Sequence, residues 1–563
     1  MELKGNKINI KDNIFNILML CFISLNGLFN EYLSILSGVV LGAFIIIKYR
    51  EKGELTFKIN LTSVAVFTIV LFYGLSAFWA VDRGSAVLGF AKFLPVLLFL
   101  ILLFGNSRYK SFLNILPAFA VIMTLVSSLL MQLDAFEEYF SVAGRLSGFF
   151  QYSNTFALFL LVALIILATK SEINKYEYIY FPIIIFGILY SGSRTVFVLT
   201  LLTVAGFVFL IKNRRIKYII LILFSISVLA VIAVISFTDK SSVFGRFLTI
   251  SLSRSTFVGR FLYFYDALPV ILKNPFGTGY LGHYFMQQSI QTGVYSVRFI
   301  HNDFLQLLLD IGWIPTALFI AAIIKSFFKK GTSLRNRLIL FMISAHACFD
   351  FDLQFIAVFM IFIACFDTES GKEIKINYKK FALPSLCVIS VFMFYMFLSQ
   401  ALLAFGDSES SYKLYPFSGE TKIKMLTKTE DIAEVNRIAD EILESNEYAS
   451  VAYSAKSRYY YSLGDFENMI RYKDLAIKYA PLSSEEYEDY LYMLLVGVQL
   501  YSNAGDTESA DYCKNKIVTV YNDFLNMRNR LSALGKKIKD QPDFELSKEI
   551  NEYITETVLK NED

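Results

Sequence analysis

The sequence predicts an all-α fold: a polytopic helical membrane bundle with an outer cap and a soluble helical domain at the C-terminal end. Three features of the 563 residues lead there. The composition is 55% hydrophobic and only 18% charged, with a mean hydropathy of +0.51, whereas an average soluble domain is about a quarter charged. The apolar residues are gathered into long runs. The charge is also split, with 34 Lys/Arg against 20 Asp/Glu in residues 1–404 and 19 against 29 in residues 405–563. A basic-flanked membrane domain (1–404) followed by an acidic soluble domain (405–563) accounts for that split. A nucleic-acid partner finds no support, because the soluble part is acidic and the basic residues lie between apolar runs.

Apolar runs occupy 13–29, 33–47, 61–79, 86–104, 112–133, 155–168, 179–190, 196–211, 218–237, 304–324, 338–349, 353–366 and 381–404. A helix needs about 20 apolar residues to cross a bilayer, and about 17 at the least. Several runs are shorter, as inner helices of a bundle are when they meet loops before the full membrane depth. The expectation is about thirteen crossings. The first run follows lysines but precedes no cleavage site, so it reads as a retained helix. The five cysteines have neither metal-ligand spacing nor a disulfide pattern.

Loop charge sets the orientation. Loops on the N-terminal side hold twenty-four Lys/Arg, from Lys4 to Lys380, while the short loops on the other side hold three, Arg83, Arg145 and Arg194. The N-terminus is therefore expected in the cytoplasm and the C-terminal domain outside it. The long connection 238–302 also falls outside. It contains apolar stretches such as 261–272, which suit helices lying along a membrane surface, so it reads as a folded cap.

In the C-terminal domain, Tyr453, Tyr460, Gly464-Asp465-Phe466, Ile470, Ala476 and Pro481 have the spacing of one tetratricopeptide repeat, a helix pair of about 34 residues. Ala504-Gly505-Asp506 is a weaker echo, and 431–446 resembles the second helix of a preceding unit. Such units stack to bury their apolar faces. The domain offers a groove for a peptide or protein partner, or else braces the cap.

The charged residues on the outer side are Asp82-Arg83, Arg145, Arg194, Arg260, His301-Asn302-Asp303, His346, Asp350 and Asp352. Each arginine alone reads equally well as an interfacial anchor. Together they gather on a side that the loop rule depletes of positive charge, which points to an anionic ligand such as phosphate, gripped in pairs by planar guanidinium groups. His301 begins a helix, where a neutral imidazole is favoured and can take a proton from a hydroxyl; it can equally cap the helix end. His346 and Asp350, four apart, are expected to share a helix face and pair as a structural contact. No zinc signature, phosphate-binding glycine loop or serine elbow is present.

These segments resemble the O-antigen ligase and polymerase family of bacterial envelope glycosyltransferases. The resemblance rests on 76–82, Gly144–Asn154 (GRLSGFFQYSN), 191–195, Gly259-Arg260, 274–279 (NPFGTG), His301-Asn302-Asp303-Phe304-Leu305, Asp310-Ile311-Gly312 and 346–353 (HACFDFDL). One departure is Tyr152-Ser153-Asn154, where many relatives have Pro-Asn. The resemblance implies transfer of a glycan from an undecaprenyl-diphosphate carrier to an acceptor glycan, lipid or protein. It implies inversion at the anomeric carbon and no metal or other cofactor. It assigns His301 and Arg260 to catalysis and Arg145, Arg194, Asn302 and Asp82 to substrate binding, with His346, Asp350 and Asp352 in support. The competing expectations are a transporter of a lipid-linked glycan or other anion, or a membrane scaffold for the tail. A transporter would place ionisable groups near the midplane, where Lys92 is the main exception to an apolar stretch.

Overall fold

The computed structural model describes residues 10–50, 52–210, 255–538 and 541–555, with isolated positions 218, 222, 225 and 229. The predicted run 218–237 and the first part of the cap, 238–254, lie outside these residues apart from those four positions. The fold is an all-α membrane bundle. Among the described residues, five helices are long and apolar enough to cross a bilayer: Glu31–Tyr49, Leu61–Phe78, Arg83–Gly105, Ser107–Leu130 and Tyr378–Ala404. Shorter apolar helices, among them Ser153–Ala168, Arg194–Phe207 and Trp313–Phe328, pack beside them.

The centre of the bundle is built from helices that are apolar all round, as complete burial requires. Arg83–Gly105 packs against Glu31–Tyr49, Leu61–Leu75 and Ile356–Ala364. Every residue of Ile356–Ala364 is buried. That helix has only nine residues, about 14 Å of rise, so run 353–366 is not a complete crossing by itself.

The run 304–324 also departs from expectation. It is two helices, Asp303–Ile311 and Trp313–Phe328, broken at Gly312, whose φ is +80°. A side chain there would run into the backbone of Pro275 and Phe276. The break lets the 275–279 loop dock, through Thr278 N donating to Leu309 O (2.6 Å), Gly279 N to Asp310 O (2.9 Å) and Trp313 N to Pro275 O (2.9 Å).

At one end of the bundle, Glu54–Ile59 pairs antiparallel with Lys372–Asn377, with Glu54 opposite Asn377 and Ile59 opposite Lys372. This ribbon ties two Lys-bearing loops together. From it Leu61–Phe78 rises about 27 Å to the other end, where the Trp79 indole donates to Phe276 O at 3.2 Å.

That other end carries the cap. The helix Ser255–Lys273 buries Leu262, Ala267, Val270 and Ile271 inward and exposes Phe261, Tyr265, Leu268 and Leu272 outward. An apolar stripe on the outward face is what contact with a lipid surface requires.

The C-terminal helices dock on the cap. Ser450–Ser462 packs with Phe466–Tyr479, and Ser484–Ala504 with Thr507–Leu525. Both pairs turn on a left-handed glycine, Gly464 and Gly505, followed by an aspartate that caps the next helix, Asp465 onto Asn468 N and Asp506 onto Ser509 N. Contacts to the cap include Ser450 Oγ to Gln288 Oε1 (2.6 Å), Gln541 Nε2 to Val294 O (3.0 Å) and Arg298 Nη2 to Glu420 Oε2 (3.2 Å). Tyr415 OH donates to Gly84 O (3.0 Å) at the head of a bundle helix.

Candidate active site

The connection between Leu334–Ala347 and Ile356–Ala364 turns Asp350 into the cap end, where its side chain is 1% exposed. Five groups converge on its carboxylate. Tyr152 OH donates to Oδ1 at 2.8 Å and Phe351 N at 3.1 Å, and His301 Nδ1 lies 3.1 Å from the same oxygen. Asn154 Nδ2 donates to Oδ2 at 2.7 Å, and Arg260 Nη2 lies 3.4 Å away. Burial alone would raise this carboxyl. The hydrogen bond from His301 and the charges of Arg260, His301 and His346 outweigh it and hold Asp350 well below the usual carboxylate range.

His301 is held tightly. Its φ of +55° is unusual for a residue with a Cβ and costs about 1–3 kcal/mol, so its neighbours must impose it. Ile300 on one side is fully buried. Asn302 on the other caps the helix Asp303–Ile311, its Oδ1 accepting from Leu305 N (3.0 Å) while its Nδ2 donates to Cys348 O (2.9 Å). The ring lies edge-on to Phe351 at 4.8 Å and near Tyr263 at 6.2 Å. With Asp350 ionised, a neutral ring with its proton on Nδ1 donates to the carboxylate and leaves the Nε2 lone pair as an acceptor. The side chain is 22% exposed, so the imidazole is reachable.

Arg145 joins the cluster through Asn154: its Nη2 donates to Asn154 Oδ1 (2.6 Å) and its Nε to Ser191 O (2.8 Å). Arg194, half-buried, opens the next helix, Arg194–Leu210, immediately after that Ser191 turn. Asn302 uses both ends of its amide on the protein, as a cap and as a tie to Cys348. Asp82 is elsewhere. It is fully buried, caps Arg83–Gly105 through Ser85 N (2.6 Å) and faces Gly419 of the C-terminal domain.

One pairing is corrected. His346 does not meet Asp350; its Nδ1 lies 2.5 Å from Asp352 Oδ2, and Thr155 Oγ1 donates to Asp352 Oδ1 at 2.8 Å. The helix ends at Ala347, so Asp350 is already in the turn and no longer follows the four-residue spacing. Tyr152 and Asn154 are the residues that sequence reasoning missed. Their signal was the segment 144–154 itself, placed at the same bundle end as Arg145.

Residues 179–320 match the family model of the O-antigen ligase. The chain carries an O-antigen ligase domain. No curated protein and no solved structure matches the chain. The matched domain contains Arg194, Arg260, His301 and Asn302, and the fold adds Arg145, Tyr152, Asn154 and Asp350 from outside it. An integral membrane protein with a role in glycosyl transfer during envelope polysaccharide synthesis, acting on a lipid-linked glycan, is what the O-antigen ligase domain supports.

Proposed function

We propose that the protein transfers a glycan from an undecaprenyl-diphosphate carrier to an acceptor hydroxyl at the outer face of the bacterial cytoplasmic membrane. The observation that carries this reading is His301, oriented by the buried Asp350 through its Nδ1 and with 22% of its side chain exposed. The acceptor oxygen attacks the anomeric carbon, His301 Nε2 takes the hydroxyl proton, and the bond to the diphosphate breaks on the opposite face. The configuration inverts, and the lipid diphosphate departs with the bonding electrons. A diphosphate is already a good leaving group, so the step needs cations near it more than an acid. Arg260, 18% exposed, supplies them together with Arg145, which reaches Asp350 through Asn154, and Arg194, and no metal is required. Asp350 acts as a positioning residue that fixes the imidazole tautomer.

The competing transporter reading leaned on Lys92. That residue is wholly buried and answered by Tyr280 OH at 3.0 Å and Glu31 Oε1 at 3.6 Å, which favours a structural role. The orientation is supported by the ribbon, which ties the Lys-rich loops to the end opposite His301. The C-terminal helix pairs, with their shared Gly-Asp turns, support a tetratricopeptide-like brace on the cap. The test uses purified protein, a lipid-linked donor and a chelator throughout. Release of undecaprenyl diphosphate in step with glycan transfer is expected. Loss of activity with chelator would remove the metal-independent step, and movement of intact donor without release would replace transfer by transport.

A further inference from the structure

Between the bundle end and the C-terminal domain lies a cavity of about 380 Å³, lined in part by Trp79, Asn274, Glu444, Asn446, Glu447 and Tyr448. Asn446 is 2% exposed. Its Oδ1 accepts from Tyr448 N at 3.0 Å, which fixes the amide, and its Nδ2 has no partner among the described residues. A buried donor without a partner is costly, and from its place on the cavity wall a ligand acceptor would satisfy it.

The remaining lining sets the chemistry. Glu444 and Glu447 are exposed carboxylates and accept only. Asn274 spends its Nδ2 on Val270 O (2.8 Å) and leaves its carbonyl to accept. Trp79 spends its N–H on Phe276 O and is 41% exposed, so it offers its ring face. Among the described residues no lysine or arginine lines the cavity, and two carboxylates repel an anion. Acceptors in excess, one fixed donor and aromatic faces suit a ligand with several hydroxyls and apolar C–H faces.

We propose that this cavity binds a neutral oligosaccharide segment, the part of the glycan lying away from the reacting sugar. This rests on the transferase reading. The position agrees: Met286, on the cavity wall, packs in the same apolar cluster as Ile300, the residue before His301. The C-terminal domain thereby supplies half of a glycan subsite.

The chain has two tryptophans, Trp79 in the cavity and Trp313 at the start of Trp313–Phe328. In a Trp313→Phe background, Trp79 is the sole reporter. The probe is the neutral oligosaccharide fraction released by mild acid from the native host's envelope polysaccharide, added to the full chain in detergent without donor lipid. A saturable change in Trp79 emission is expected, weakened at least tenfold both in Asn446→Leu and in the exposed double variant Glu444→Ala/Glu447→Ala. No saturable change, a response in either variant as strong as without it, or saturation by a lysine-rich peptide in place of sugar would overturn the inference. Binding is read without turnover. An inactive transferase that binds sugar would therefore fail the function reading alone, and an active one that does not would fail only the subsite.

Discussion

Lys92 and Asp350 are both buried charges answered by opposite charge near the cap end, yet their surroundings differ. Lys92 is 0% exposed; Tyr280 OH and Glu31 approach its Nζ, and the rings of Phe29, Tyr280 and Phe299 surround it at 5.1–5.4 Å. Glu31 in turn accepts from Tyr280 OH (2.6 Å) and Arg298 (2.9 Å), and Arg298 reaches on to Glu420 of the C-terminal domain. That network is closed around its lysine and ties three parts of the molecule together. Asp350 is buried as deeply, and the groups that answer it, His301 and Arg260, keep 22% and 18% of their side chains exposed. One network joins three parts of the fold, while the other, on the transferase reading proposed above, holds its charge where a substrate meets it.

The comparison breaks most visibly at Lys92. Lys92→Met takes away one of the two cations that answer Glu31 and leaves Arg298 at 2.9 Å, so the loss is a part of the about 3–5 kcal/mol that stranding a buried charge outright costs. A marked fall in thermal midpoint in detergent is expected, partly restored by adding Glu31→Gln. A double variant no more stable than the single one would show that Glu31 is not what Lys92 answers.

Asp350→Asn should act on rate more than on yield. The imidazole loses the partner that fixes its tautomer, and transfer should fall about a hundredfold or more with donor binding kept. The stability difference from wild type has a predictable sign. The Asp350 carboxyl is held low, so its contribution is complete above the ordinary carboxylate range near pH ~4. It is lost as pH falls from there toward the depressed value. A difference that grew on acidification would contradict the ion cluster.

Arg260→Lys sharpens the opening itself. Lysine keeps the charge but loses the fork, so at least a tenfold loss of product is expected, about 1.4 kcal/mol, close to that of Arg260→Ala at equal protein level. Full activity in both would make Arg260 an interfacial anchor. Asn302→Ala is the smallest change. It removes a helix cap worth about 1 kcal/mol, and the thermal midpoint should fall slightly while kcat falls more than KM rises. An unchanged kcat would mean that Asn302 does not help to pin His301.

Much of this was legible in the sequence where it depends on local pattern. The apolar runs foretold the bundle, and the Gly-Asp turns marked the helix pairs. The loop charges gathered His301, Arg260 and Arg145 at one end. What escaped depends on long-range contact or on helix ends. Lys92 stood out, but its partners Glu31 and Tyr280 are distant in the chain. His346 was paired with Asp350 on helical spacing that stops at Ala347. The ribbon was present as alternation in Glu54–Ile59 (ELTFKI) and Lys372–Asn377 (KEIKIN), but each strand is too short to stand out beside membrane runs. Tyr152 sits in an aromatic-rich stretch, where nothing local separates an anchor from a residue that binds Asp350.

The most direct test of the central claim, that His301 acts on the acceptor hydroxyl, is turnover by purified His301→Ala with a lipid-linked donor and chelator present. The account predicts a loss of about 10²- to 10⁴-fold, with normal insertion and undiminished donor binding, and partial activity in His301→Gln if hydrogen bonding alone orients the hydroxyl. Near-normal turnover by His301→Ala would contradict it.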